Sequence, residues 1–245
     1  MDKNILITGA GGKVGKQLLQ YFCAKGFNVF FTSRSGEKIK AIEACYNNAK
    51  GFIIDFFEEN SVSKLMMKLQ SQNIQINYLI NTARCLDTLA VETNGEIKEE
   101  CFLNEYKLDV FIPYQLSIAL AKTHSLKKII NISSLYGMGS FNPHLYEPPF
   151  LPAIQYACAK AAVIQLTKCL AVCLVDSNIQ VNCVTYGGIE GRVDDAFKKR
   201  YAQLCPQKRM MREEEVVGAV DFLISNKSSY VLGQNIIVDG GWTIW

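Results

Sequence analysis

At 245 residues the chain is long enough for one large α/β domain with a well-buried core and slightly long for two ordinary domains, and one domain is the starting expectation. Its 26 Lys and Arg against 23 Asp and Glu leave a net charge of +3, which excludes the broad basic field that a nucleic-acid backbone needs. The opening residues Met1 to Ile7 run straight into an apolar strand pattern without a leader's basic region, and no run reaches the roughly 18 uninterrupted apolar residues of a spanning helix; a soluble, cytoplasmic protein with no membrane or nucleic-acid partner is expected.

Strand-length apolar runs then alternate with stretches of helical period, the pattern of a parallel sheet covered by helices on both faces. A first strand at 4–8 runs into Thr8-Gly9-Ala10-Gly11-Gly12-Lys13-Val14-Gly15, which opens a helix at 13–25. Glycines let such a turn approach a pyrophosphate closely, while the helix start offers unpaired N–H groups and the positive end of its dipole. Gly9, Gly11, Gly12, Lys13, Val14 and Gly15 are therefore candidate contacts to a dinucleotide.

The second strand, 27–32, ends in Thr32-Ser33-Arg34-Ser35, without the Asp or Glu that accepts hydrogen bonds from both hydroxyls of an NAD ribose. Arg34, beside Ser33, suits a 2′-phosphate through its planar guanidinium, so NADP(H) is favoured over NAD(H). A helix at 36–47 leads to a third strand at 51–54, after which the Asp55 carboxylate can accept from an adenine amino group, with Phe56 beside it. A helix at 60–71 precedes the fourth strand, 77–81, where Asn81 and Ala83 bring backbone alongside the cofactor.

A long helix at 99–122 is followed by the fifth strand, 127–132, and then Ser133-Ser134. The next segment, 137–152, holds Pro143, Pro148, Pro149 and Pro152 and escapes the alternation, before a strongly apolar helix at 153–175. Tyr156 and Lys160 stand four apart on that helix and share one face. A phenol is ordinarily too weak an acid for efficient proton exchange near neutrality, and a neighbouring ammonium favours its ionised form. Tyr156 can then pass a proton to or from a substrate oxygen, while Ser134 hydrogen-bonds the same oxygen.

A sixth strand at 179–185, a charged irregular segment at 189–212, a helix at 213–225 and a strand at 235–238 complete the chain. Ligands of an open α/β sheet bind beyond the carboxyl ends of its strands, so 137–152 and 189–212 are expected to wall the substrate. The nine cysteines, Cys23, Cys158, Cys169, Cys173 and Cys183 among them, lie in apolar segments without a C-x-x-C spacing and read as reduced, mostly buried thiols. His124 and His144 lack a metal-ligand spacing, and no metal is expected.

The glycine turn, Asp55, Asn81-Thr82-Ala83, Ser134, Tyr156 with Lys160, Asn182 before Gly187-Gly188-Ile189, and the ending Val238-Asp239-Gly240-Gly241-Trp242 together resemble the short-chain dehydrogenases/reductases, over essentially the whole chain. The resemblance implies a single Rossmann-like domain spanning 1–245, a doubly wound parallel sheet of about seven strands with helices on both faces. It further implies a nicotinamide cofactor touched by Gly187, Ile189, Tyr156 and Lys160, a Ser134-Tyr156-Lys160 site interconverting a carbonyl and an alcohol, and a homotetramer or dimer. Four positions depart from the family pattern. Lys13 and Arg84 stand in place of glycines, Tyr186 in place of a proline, and Asp109 where the family has an asparagine that holds a proton-relay water, which makes Asp109 a further catalytic candidate. Ser133 takes over from Ser134 if the register slips by one.

The separation of Ser134 from Tyr156, 22 residues, is longer than in simpler members and adds Phe141, Asn142, His144, Tyr146 and Glu147 to the rim. This segment is similar to that of members in bacterial nonulosonic-acid and surface-sugar modification pathways, which points to a sugar or sugar-derived substrate. Two other readings stay open. Arg84, Asp109 and Tyr186 suit a nucleotide-binding sensor or scaffold with weak turnover, and the Gly12 form of the turn suits a sugar-nucleotide epimerase or dehydratase, against which the missing C-terminal substrate domain stands.

Overall fold

The computed structural model describes residues 3–191 and 193–244; Arg192, within one expected substrate wall, lies outside them, as do Met1, Asp2 and Trp245. Seven strands, β1 (Asn4–Thr8), β2 (Asn28–Ser33), β3 (Ala49–Ile53), β4 (Tyr78–Asn81), β5 (Lys128–Ser134), β6 (Gln180–Tyr186) and β7 (Asn235–Val238), form one sheet in the order β3-β2-β1-β4-β5-β6-β7. Every pairing is parallel, with Ile5 opposite both Val29 and Tyr78, and Ile129 opposite both Leu79 and Val181. The helices are α1 (Lys13–Ala24), α2 (Gly36–Cys45), α3 (Ser61–Ser71), α4 (Glu99–Tyr106), α5 (Ile112–Ala121), α6 (Ile154–Cys173), α7 (Asp195–Leu204) and α8 (Val217–Ile224).

Strand side chains alternate between two apolar layers, as the two-residue repeat of a strand buried on both faces requires. Leu6, Phe52, Leu79, Ile129 and Val181 pack under α3, α5 and α6, through Leu65, Leu69, Leu116, Leu120 and Leu170. Ile5, Ile7, Val29, Phe31, Ile80, Ile130 and Val184 face the opposite way, onto Leu18, Leu19 and Phe22 of α1 and Val220 and Leu223 of α8. The chain winds outward from β1 to β3, then crosses back to β4, so strand order reverses between β1 and β4 and opens a crevice at their carboxyl ends.

Several expectations are corrected. The third strand begins two residues earlier than predicted, at Ala49. The predicted single helix at 99–122 is two helices, α4 and α5, joined by a π-helical stretch at Lys107–Phe111, while residues 213–216 form a 3₁₀ turn ahead of α8. The segment 189–212 is not irregular throughout, because it contains α7. Asp194 caps that helix by accepting from the Phe197 N–H at 2.7 Å, and Phe197, Tyr201 and Leu204 turn inward at helical spacing onto Leu145 and Met210.

Helix α6 is long and apolar enough by composition to cross a membrane, but it lies on β5 and β6 and buries Tyr156, Lys160, Val163 and Leu170. Its outer side stays exposed. The nine thiols are free, yet only Cys23, Cys85, Cys183 and Cys205 are buried, because Cys158, Cys169 and Cys173 occupy that outer side of α6 and Cys45 ends α2.

Candidate active site

The turn after β1 is fixed by close backbone approach. Gly9 adopts φ +68°, and a Cβ there would stand 2.5 Å from the Ala83 Cα, so only glycine lets the β1 turn abut the end of β4. Gly12 caps α1 with no side-chain hydrogen bond, which leaves first-turn N–H groups for an anion. From this turn a cleft of about 780 Å³ runs past Ser33, Arg34, Asp55 and Phe56 to Ser134, Tyr156, Lys160, Gly187 and Ile189. Gly11, Gly12, Val14, Gly15 and Ala83 line it.

Two of the candidate cofactor residues behave differently. The Lys13 ammonium donates to the carbonyls of Ile189, at 3.5 Å, and Glu190, and lies 3.6 Å from the Glu213 carboxylate. It ties the glycine turn to the loop after β6. The Asn81 side chain turns away from the cleft, which leaves only its backbone for the contact expected of it. Its amide donates to Asn131 Oδ1 at 2.8 Å, and Asn131 donates in turn to Thr167 Oγ1 at 3.0 Å, a buried polar chain that locks β4 and β5 to α6 beneath the site.

Tyr156 and Lys160 project from one face of α6 into the cleft, with the Lys160 ammonium 5.7 Å from the Tyr156 ring centroid. Of the two serines, Ser133 uses its hydroxyl to donate to the Lys160 carbonyl at 2.8 Å. Ser134 accepts from the Tyr136 N–H at 3.3 Å and keeps its own proton to donate, so the register with Ser134 is the one that leaves a donor for a ligand.

Asp109 lies in the π-helical stretch between α4 and α5, and a carboxylate oxygen stands 2.8 Å from the Lys160 ammonium, both side chains being buried. Lys160 also donates to the Ile132 carbonyl at 3.2 Å. Burial by itself pulls the Lys160 pKa down, but the Asp109 charge, with Tyr156, outweighs it and the net shift is upward.

Sequence reasoning missed Glu105, Gln155 and Tyr136. Glu105, four residues before Asp109 on the same helical face, is buried with Thr88 Oγ1 donating to it; burial first, and then the Asp109 charge, raise its pKa. Its spacing from Asp109 was the signal. Gln155 fixes the residue beside Tyr156 by donating to the Thr88 carbonyl at 2.8 Å. Tyr136 stacks on Phe141 with ring centroids 4.1 Å apart and hydrogen-bonds the Tyr146 hydroxyl, so the rim gains an aromatic wall that burial and the Tyr146 neighbour keep un-ionised. Tyr186 is buried beneath the cleft, its hydroxyl donating to the Val216 carbonyl. Arg84 lays its guanidinium carbon 4.3 Å from the centroid of the Tyr156 ring.

A family model described as enoyl-(acyl carrier protein) reductase matches residues 9–243. The chain is 29% identical over 249 residues to the 3-oxoacyl-[acyl-carrier-protein] reductase FabG of Buchnera aphidicola subsp. Schizaphis graminum, covering 98% of this chain and 96% of that protein. The solved structure of a short chain dehydrogenase from Leptospira borgpetersenii serovar Hardjo-bovis with bound NAD+ superposes with a TM-score of 0.88 at 27% identity, over 99% of this chain and 93% of the other. The structure of ElxO with NADP bound gives a TM-score of 0.84 at 25% identity over 100% of both chains.

Proposed function

The chain belongs to the short-chain dehydrogenase/reductase family, and from that premise we propose that it interconverts a ketone and a secondary alcohol on a sugar or sugar-derived compound, using NADP(H) in preference to NAD(H). The observation that carries the reading is the meeting of Ser134, Tyr156 and Lys160 at one end of the cleft that begins at the glycine turn.

A nicotinamide dinucleotide fits the residues present: the uncapped start of α1 and the close-packed Gly9 turn suit its pyrophosphate, and Arg34, with Lys38 beside it in the same cleft, suits a 2′-phosphate. When bound, the nicotinamide supplies hydride to the carbonyl carbon or takes it back from the alcohol. In the direction of reduction, Tyr156 delivers the proton to the carbonyl oxygen, and Ser134 donates a hydrogen bond to that oxygen as negative charge develops on it. Lys160, held by Asp109 and the Ile132 carbonyl, sets positive charge beside the phenol and is placed to hold ribose hydroxyls. The rim of Tyr136, Phe141 and Tyr146, with Asn142 and His144 on the same segment, supports a polar substrate bearing a ring. Free thiols throughout the chain fit a reducing cytoplasm, and the exposed apolar side of α6 fits a homo-oligomer, tetramer or dimer.

The test is titration of the purified protein with NADPH and NADH, on the wild type and Arg34→Ala, followed by turnover of keto-sugars with Tyr156→Phe as control. Preferential NADPH binding, reduced about tenfold or more in Arg34→Ala in keeping with the loss of a charged hydrogen-bond pair, is the expected result, with turnover abolished in Tyr156→Phe. Tight nucleotide binding with little turnover, and a biological activity that Tyr156→Phe leaves intact, would instead favour a nucleotide-binding sensor or scaffold.

A further inference from the structure

Of the cations that line the cleft, Lys160, Lys13 and Arg84 are satisfied differently. Lys160 is neutralised by Asp109 at 2.8 Å. Lys13 is engaged by the Ile189 and Glu190 carbonyls and by Glu213. Arg84 rests on the face of the Tyr156 ring, and among the described residues no carboxylate comes within ion-pairing distance of it. A ring face satisfies the charge of a guanidinium only in part; its N–H donors, set in a planar fork, still match a carboxylate.

The base of this side chain is held firmly. Thr8 Oγ1 accepts from the N–H groups of Thr82, at 3.0 Å, and Ala83, at 3.1 Å, and the Gly9 turn abuts Ala83. The guanidinium is therefore presented to the space above the very ring whose hydroxyl meets the reacting oxygen. Tyr136, Tyr146 and Phe197 line the same cleft, and Arg84 itself is exposed there, within reach of an incoming ligand.

We propose that Arg84 determines substrate specificity, and that the substrate carries a carboxylate within a few bonds of the reacting carbonyl, so that its class is keto acid in one direction and hydroxy acid in the other. This rests on the oxidoreductase reading of the Tyr156 site and narrows it. The carboxylate docks in the Arg84 fork while the neighbouring carbonyl oxygen meets Ser134 and Tyr156. The fork then also orients the carbonyl, because two fixed points on one small molecule define its face toward the hydride.

The experiment is calorimetric titration of the protein, saturated with its preferred nicotinamide dinucleotide, with malonate and with its neutral counterpart malonamide, for the wild type, Arg84→Gln and Arg84→Lys. Nucleotide affinity is measured on the same three proteins beforehand, and circular dichroism checks that they are folded. The wild type is expected to bind malonate at least about tenfold more tightly than malonamide, the loss typical of a charged hydrogen-bond pair. Arg84→Gln should erase the difference, Arg84→Lys should restore part of it, and nucleotide affinity should be unchanged in both. Equal affinities in the wild type, or discrimination that survives Arg84→Gln, would overturn the proposal. So would a loss confined to nucleotide affinity in Arg84→Gln, which would assign the cation to the cofactor's phosphates. Failure of the wild type to bind either nucleotide removes the oxidoreductase reading and this inference with it, whereas nucleotide binding without carboxylate discrimination removes the inference alone.

Discussion

At the residue scale, the Lys160 ammonium and the Asp109 carboxylate form a buried ion pair. Removing one partner of such a pair leaves an uncompensated charge in the interior, at a typical cost of about 3–5 kcal/mol. Asp109→Leu is thus expected to lower the unfolding free energy by roughly that amount near neutrality, as measured by urea denaturation. Its pH dependence has a definite sign. In the wild type the Lys160 pKa is raised in the folded state, so the pair's stabilisation is complete below the ordinary lysine range and is lost as pH climbs through the raised value. In Asp109→Leu burial acts without its opponent and the folded pKa drops, so the variant gains stability with pH below the ordinary lysine range. The two stability curves should converge in alkali, and parallel curves would exclude a charged Lys160 as the cause. Asp109 was legible in the sequence as a candidate, through its place in the family pattern. That it pairs directly with Lys160 was not, since a π-helical stretch sets its direction and no periodicity of helical type announces one.

At the scale of elements, the β1 turn and α1 depend on an approach that only glycine permits. A Cβ on Gly15 would lie 2.7 Å from the Gly9 carbonyl oxygen and 2.8 Å from the Ala10 Cα, both backbone atoms with little room to yield. Gly15→Ala should therefore push α1 away from the turn, lowering stability by about 1–3 kcal/mol, the usual cost of overpacking. Thermal denaturation measures that loss, and a nucleotide titration should weaken in parallel because the N–H groups at the start of α1 move with the helix. An unchanged melting temperature and affinity would show that the turn relaxes freely. Helix α7 is the element that sequence reading passed over. Its cap, Asp194, and its inward face of Phe197, Tyr201 and Leu204 are standard signals, but the charged stretch from Asp194 to Arg200 masks them, because that face is buried by Leu145, Met210 and Trp242 rather than by the main core. In the same way, the polar ends of the predicted 99–122 helix gave no hint of the break between α4 and α5.

For the molecule as a whole, β4 is the hinge of the architecture. It joins the two halves of the doubly wound sheet, pairing with β1 on one side and β5 on the other. Leu79, fully buried at its centre, touches the layer that holds α3, α5 and α6 together. Leu79→Ala should cost about 2–5 kcal/mol, the range for a leucine removed from a packed core, with a single cooperative transition retained in denaturant. A second, separate transition would show that the halves unfold independently.

The sequence by itself determined the alternation of strands and helices, the parallel sheet, the glycine turn and the shared helical face of Tyr156 and Lys160, because each is written in short-range spacing: a period of two or of 3.6 residues, a run of glycines, a pair four apart. Tertiary structure alone decided which serine keeps a free donor, that Asn81 turns away from the cleft, that Lys13 fastens the loop after β6, and that Arg84 lies on the ring of Tyr156. Each of these depends on partners from 27 to 177 positions away, brought together by strand order, and no local pattern specifies which distant carbonyl or ring a polar side chain will meet.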